Sequence, residues 1–182
     1  IEAAITARAT FWKAETAYVL DDYKNALLSF RQFSGLFRAS STPEYKNINY
    51  NIAYTYFKLK EYDQAATYFQ NQIELVKGDK VRLTDSYLRL GDCQFATSKY
   101  WPAMEAYNKA IDMKGVDADY AYYQKAICYG FVAKNDKKIE ELNSFIQMYP
   151  KSNYRDDAMY ELANTYVASG KQDLALKTFD RL

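Results

Sequence analysis

The sequence has no histidine, and only two cysteines, three prolines and six glycines in 182 residues. Without histidine there is no imidazole base near neutral pH and no imidazole metal ligand, which removes Ser-His-Asp triads and HExxH zinc sites. Cys93 and Cys128 form no CxxC motif, so neither a disulfide scaffold nor a thiolate metal site is expected. They read as small buried apolar residues. Charge of one sign is missing too: 24 Lys and Arg stand against 23 Asp and Glu. That balance argues against a basic nucleic-acid surface and against an acidic tail. No apolar run reaches the length of a membrane span. No P-loop, GxGxxG or GxSxG motif occurs. Adjacent acids such as Asp21/Asp22, Glu140/Glu141 and Asp156/Asp157 diverge in direction and read as solvated or helix-end charge rather than acid–base pairs. No cofactor, metal or catalytic activity is expected.

Aromatic residues are abundant. Nineteen Tyr, ten Phe and two Trp make up 17% of the chain. Few breakers and long periodic stretches predict helices.

The periodic stretches repeat. Tyr87, Leu90, Gly91, Tyr100, Ala103, Tyr107 and Ala110 form one pattern. It returns as Tyr122, Ala126, Tyr129, Leu142 and Phe145, then as Met159, Leu162, Ala163, Tyr166, Ala175, Phe179 and Leu182. Upstream it returns as Ile52, Ala53, Tyr56, Tyr62, Ala65 and Phe69, and again as Phe11, Ala14, Glu15, Tyr18, Tyr23, Ala26, Phe30 and Phe33. The intervals run from 35 to 39 residues. Apolar residues three and four apart place each stretch on one helical face. Five units of two helices follow, at about 5–38, 44–78, 79–115, 118–151 and 155–182, forming a single array over 1–182. Ser41-Thr-Pro-Glu44 reads as a capping box, Gly78 and Gly115 as left-handed caps, Gly170 as a turn, and Pro150 as a helix end.

This pattern resembles the tetratricopeptide repeat, Trp-x2-Leu-Gly-x2-Tyr followed by Ala-x3-Phe-x2-Ala. Tyr87-x2-Leu90-Gly91 and Ala103-x3-Tyr107-x2-Ala110 match it best. Gln94 departs from it where Tyr is usual. The fourth unit departs furthest, at Asn135 and Lys138, which predicts looser packing of its second helix. The repeat is usually about 34 residues long, so the longer intervals imply extended helices or turns. The resemblance implies an all-α, right-handed α-solenoid with first helices lining a concave face, and a non-catalytic scaffold for protein or peptide partners. Phe145-x3-Tyr149-Pro150-x-Ser152 is similar to bacterial repeat proteins of the cell envelope, which favours a periplasmic setting. The last unit stops within its second helix, so a longer parent chain is expected.

By the same resemblance, ligand contacts come from Trp12 and Thr16, Tyr50 and Tyr54, Leu88 and Asp92, Tyr123 and Ile127, and Tyr160 and Asn164. Phe57 and Phe95 extend two of these rows. The expected groove thus holds Trp12, Tyr50, Tyr54, Phe57, Asp92, Phe95, Tyr123, Tyr160 and Asn164, with Asp85, Arg89, Asp92 and Lys58 pairing charges along its rim. Tyrosines at helical spacing serve packing as readily as recognition, and both readings stay open. The residues of the family's carboxylate clamp are absent apart from Asn164. A glycan-binding module and an accessory arm of a larger enzyme or regulator are the alternative functions.

Overall fold

A computed structural model describes residues 2–75 and 78–182. Residues 76 and 77, at the end of the expected second unit, lie outside the described residues. Among the described residues the regular structure is helical: α1 (Glu2–Val19), α2 (Tyr23–Gly35), α3 (Ile48–Lys58), α4 (Tyr62–Leu75), α5 (Lys80–Ala96), α6 (Tyr100–Asp112), α7 (Ala118–Phe131), α8 (Asn135–Met148), α9 (Arg155–Ala168) and α10 (Gln172–Phe179). Two short 3-10 turns, Ala39–Ser41 and Pro43–Asn47, precede α3. The chain divides into two compact units, Ile1–Thr97 and Ser98–Leu182.

Within each unit, packing runs between neighbours in sequence. In the first, α1 packs on α2, α2 on α3, α3 on α4 and α4 on α5. In the second, α6 packs on α7, α7 on α8, α8 on α9 and α9 on α10. Small residues at the crossings permit the approach: Ala26, Ala53, Ala65, Ala103, Ala126, Ala163 and Ala175 are all buried. Large rings fill the space beside them. Phe11 meets Phe30 and Phe33 edge-on at 5.6 and 5.3 Å in the first unit. In the second, Leu142, Phe145, Leu162 and Tyr166 form the core with Ala126, Ala158 and Ala175.

The turn inside each helix pair is built the same way. Asp21, Lys60, Ser98, Ala133 and Gly170 all have φ between 56° and 70°. In four of these turns the next N–H reaches back to the carbonyl five residues earlier: Asp22 to Ala17, Glu61 to Tyr56, Lys134 to Tyr129 and Lys171 to Tyr166, at 2.9, 3.0, 2.9 and 2.8 Å. This is a Schellman-type closure, which satisfies carbonyls left free at the helix end. Gly170 alone among the five is the residue best suited to it.

Three local expectations need correction. Thr42 leads into a 3-10 turn without a side-chain cap, and its hydroxyl donates to the Ala39 carbonyl at 2.6 Å. Glu44 pairs with Arg8 at 2.8 Å, so the expected capping box is lost to a partner on α1. The left-handed residue after α6 is Lys114 (φ 52°) rather than Gly115, although Gly78 (φ 107°) and Gly170 do take positive φ. Leu88, carried into the groove by resemblance, is buried in the core. It sits on α5 with Ser86, Leu90, Gly91 and Cys93, a stripe broad enough to draw Leu88 inward.

Pro150 follows the Tyr149 that caps α8, and Pro102 lies in the first turn of α6, where its missing N–H has no helical partner to lose. Asp22 accepts the Asn25 N–H at the start of α2, and Asp79 accepts the Arg82 N–H at the start of α5. Of the adjacent acids, Asp22 serves a helix end, Asp156 and Asp157 lie in the first turn of α9, and Glu140 and Glu141 pair with Lys137 and Lys125 within the second unit. Cys93 and Cys128 are buried, and desolvation pushes each thiol up to about 12. They are inert packing residues.

Candidate functional site

The expected groove residues fall in both units. In Ile1–Thr97, α3 presents Tyr50 and Tyr54 one turn apart, with ring centroids 4.9 Å from each other. Both are half-buried. Phe69 of α4 supports them edge-on, 5.3 Å from Tyr54 and 6.3 Å from Tyr50. Their hydroxyls converge on one acceptor: each donates to Asp85 Oδ2 on α5, at 2.7 Å from Tyr50 and 2.5 Å from Tyr54. Arg89 Nε donates to the Tyr54 hydroxyl at 3.2 Å and lies 3.5 Å from Asp85 Oδ1. Its Nη1 reaches Asp92 at 2.7 Å.

Burial, then the Asp85 hydrogen bond, pushes both tyrosines well above their ordinary range. Burial alone would lower Arg89, but the Asp92 charge and then Tyr54 outweigh it and hold it above its usual value. Asp85, Arg89 and Asp92 therefore pair among themselves and with tyrosine hydroxyls, in place of the free rim charges expected. Lys58 is exposed.

Two cavities adjoin this cluster. One, of about 250 Å³, is lined by Glu15, Tyr18, Tyr50, Asn51 and Tyr54. The other, of about 340 Å³, is lined by Phe11, Trp12, Glu15, Pro43, Glu44, Asn47, Tyr50, Asn51 and Arg82. Asn51 donates to Glu15, joining α3 to α1 between the two. Burial raises the Glu15 carboxyl, and the Asn51 bond offsets part of that. Trp12 stands against Phe11 edge-on at 5.4 Å but is 55% exposed. Phe57 is half-buried, edge-on to Tyr62 at 5.4 Å. Phe95 is half-buried near the end of α5. The structure thus gathers Trp12, Tyr50 and Tyr54 around adjoining cavities, with Phe57 and Asp92 at their margins through Tyr54 and Arg89.

In Ser98–Leu182 the arrangement differs. Tyr123 packs against the core and stacks on Tyr154, centroids 5.7 Å apart. Burial pushes its hydroxyl up to about 12. Tyr160 is 54% exposed and leans on Phe179 at 6.1 Å. Asn164 is exposed and lines a separate cavity of about 350 Å³ with Ile127, Phe131, Lys138 and Glu161.

Glu15, Glu44, Asn47, Asn51 and Arg82 were not among the expected groove residues. A usable signal existed. Glu15 meets Asn51 and Arg8 meets Glu44 across 36 residues, and Tyr50 meets Asp85 across 35. Side chains one repeat apart sit side by side, so a donor and an acid at that interval mark an inter-repeat contact. Among the described residues no cluster of acids and cysteines is placed to hold a metal ion, and no helix is long and apolar enough to cross a membrane.

Comparison with known proteins follows from this geometry. A family model for the tetratricopeptide repeat matches residues 46–114, and a second matches 120–152 and 157–182. No curated protein sequence matches the chain. Several solved structures share the fold. The crystal structure of MamA is 20% identical with a TM-score of 0.75, covering 92% of this chain and 90% of that one. YrrB, described as a TPR protein with an unusual peptide-binding site, is 16% identical with a TM-score of 0.72, covering 94% and 81%. The apo form of RapI is 12% identical with a TM-score of 0.84, covering 98% of this chain and 53% of its own. At such identities the likeness carries the α-solenoid fold alone.

Proposed function

Because the chain belongs to the tetratricopeptide repeat family, we propose that it is a non-catalytic scaffold that binds a protein partner through an extended peptide segment. The five helix pairs serve as one array in this reading. The observation that carries it is the pair of adjoining cavities in Ile1–Thr97, the larger of them lined by the exposed Trp12. Trp12, Glu15 and Asn51 come from first helices there, the helices that line the binding face in this family. Tryptophan offers a large contact area with few rotors to freeze, and polar groups beside it fix orientation. That YrrB is described as having a peptide-binding site supports a peptide as the ligand class. Tyr50 and Tyr54 shape the wall, since their hydroxyls are held by Asp85. Tyr160 and Asn164 remain candidates for partner contact by their exposure, whereas Tyr123 serves mainly packing.

The test is selection from a random peptide display library against the chain, followed by titration calorimetry. Selected peptides should bind with Kd of roughly micromolar. Trp12→Ala, a change at an exposed site, should weaken them about tenfold or more while the circular dichroism spectrum is unchanged. Equal affinity for both proteins would overturn the assignment of the face around Trp12.

A further inference from the structure

We propose that the larger cavity of Ile1–Thr97 is a pocket for one cationic side chain, a lysine or arginine of the bound peptide. This deepens the scaffold reading and rests on it. Two residues that line that cavity each carry a buried acceptor with no hydrogen-bond partner among the described residues. The Glu44 side chain is 8% exposed, and its Oε1 takes the Arg8 Nε at 2.8 Å. Its Oε2 is buried and unpartnered, and so is Asn47 Oδ1. Both residues line the cavity. A carboxylate oxygen sealed from water normally has a donor. Here the missing donor is of the kind a guanidinium or ammonium group supplies, several N–H groups on one charge.

Glu44 is ionised in this setting. Burial pushes its carboxyl up, but the Arg8 hydrogen bond, its own backbone N–H, the Arg8 charge and a hydrogen bond from the Trp12 indole together hold it below its ordinary value. Glu15 adds a second carboxylate to the lining, with the Asn51 amide donating to it. Trp12 supplies an aromatic face over which a cation is favoured.

The opposite charge fits poorly. Arg82 is the one basic side chain in the lining, and it is already engaged. Its Nη1 lies 2.6 Å from Asp79, and its guanidinium sits 5.9 Å from the Tyr50 ring centroid. An anion would meet Glu15 and Glu44 with no free cation to answer them.

The experiment is two-dimensional NMR on isotopically labelled protein, read at the Trp12 indole and the Asn47 and Asn51 side-chain amides. The probes are the Nα-acetyl methylamides of arginine, lysine, norleucine and glutamate, and inorganic phosphate. The arginine and lysine probes should shift these signals saturably, and the other three should not. Asn47→Asp, which adds a carboxylate, should tighten the cationic probes roughly threefold or more. Glu44→Gln should weaken them about tenfold. Asn47→Asp keeps the test sound should Glu44→Gln disturb the Arg8 pair. Equal shifts from norleucine would make the cavity apolar in preference. Stronger shifts from glutamate or phosphate would reverse the assigned charge. No shift from any probe would remove the pocket. If the cationic probes fail while selected peptides still depend on Trp12, the pocket falls and the scaffold stands; if both fail, both fall.

Discussion

In Ile1–Thr97 two tyrosine hydroxyls of α3 share a single carboxylate of α5, with Arg89 bridging it to Asp92. In Ser98–Leu182 lysines reach from helix to helix instead: Lys125 to Glu141 at 3.0 Å and Lys138 to Glu161 at 2.6 Å. The apolar skeleton beneath is the same in both. What differs is where charge goes. In the first unit it is gathered between first helices, beside open cavities. In the second it stitches first helices to the second helix between them. The Lys125 ammonium also lies 4.7 Å from the Tyr122 ring centroid. The repeat dictates which positions are small or apolar and leaves the first-helix polar positions free. The two units have used that freedom differently: the first joins first helices to one another, and the second joins first to second helices, with Lys138 and Glu161 themselves lining a cavity of about 350 Å³.

The sharpest way to break this contrast is to remove one charge from each. Asp85→Asn takes the carboxylate from two tyrosine donors and an arginine at partly buried positions, and should cost about 1–3 kcal/mol. Glu161→Gln removes a carboxylate that is 35% exposed, against 22% for Asp85, and its amide oxygen can still accept from Lys138, so it should cost under about 1 kcal/mol. Urea midpoints with unchanged m-values check both, and equal costs would erase the distinction.

The next effect is alkaline. The raised tyrosines favour their neutral forms in the fold, so the unfolded chain ionises first. Stability is fully present below the ordinary tyrosine value of 10 and is lost as pH rises through the folded values, which for Tyr122 and Tyr123 are about 12. Tyr54→Phe abolishes one such contribution. Its deficit against the native chain should therefore narrow by about 1 kcal/mol near pH ~11, after allowance for solvent screening. A deficit constant between about pH 9 and 11 would show that Tyr54 ionises freely in the fold.

The smallest expected effect is a gain. Ala133 holds φ 56° in the α7–α8 turn, a conformation that favours glycine. Ala133→Gly should raise stability by a few tenths to about 1 kcal/mol, and Gly170→Ala in the α9–α10 turn should lower it by about 1 kcal/mol. Thermal melts of the two variants compare the turns directly.

The helix pairs were legible because a helical face repeats every three to four residues, and the small residues at crossings mark its centre. Ala53, Ala103 and Ala126 are buried as that pattern requires. The site was legible only in outline. Trp12, Tyr50 and Tyr54 do gather, but the resemblance gave positions without partners. It could not show that Asp85 captures both hydroxyls, because that depends on how α3 faces α5. Glu44 was read locally, as a cap, when a basic residue one repeat upstream claims it. Lys138 was read as a defect in the fourth unit. Its stem in fact lies over Gly130, where an added Cβ would stand 3.0 Å from the Lys138 Cδ. A long side chain opposite a glycine fills the same space as the usual alanine opposite a larger residue.

The left-handed turns inside the pairs also govern which mutations the chain tolerates. Their closure is made by backbone hydrogen bonds, so the side chain at the pivot is free to drift among Asp, Lys, Ser, Ala and Gly. Their length is not free. One residue inserted after Lys60 would rotate α4 by about 100° about its axis and carry Ala65 and Phe69 off the contact they bury. Insertions and deletions are thereby driven to the joints between pairs. The pivots are spaced 39, 38, 35 and 37 residues apart, and the joint between α2 and α3, with its two 3-10 turns, is the longest of the described connections. Length variation accumulates where it leaves the rotation of each helix untouched.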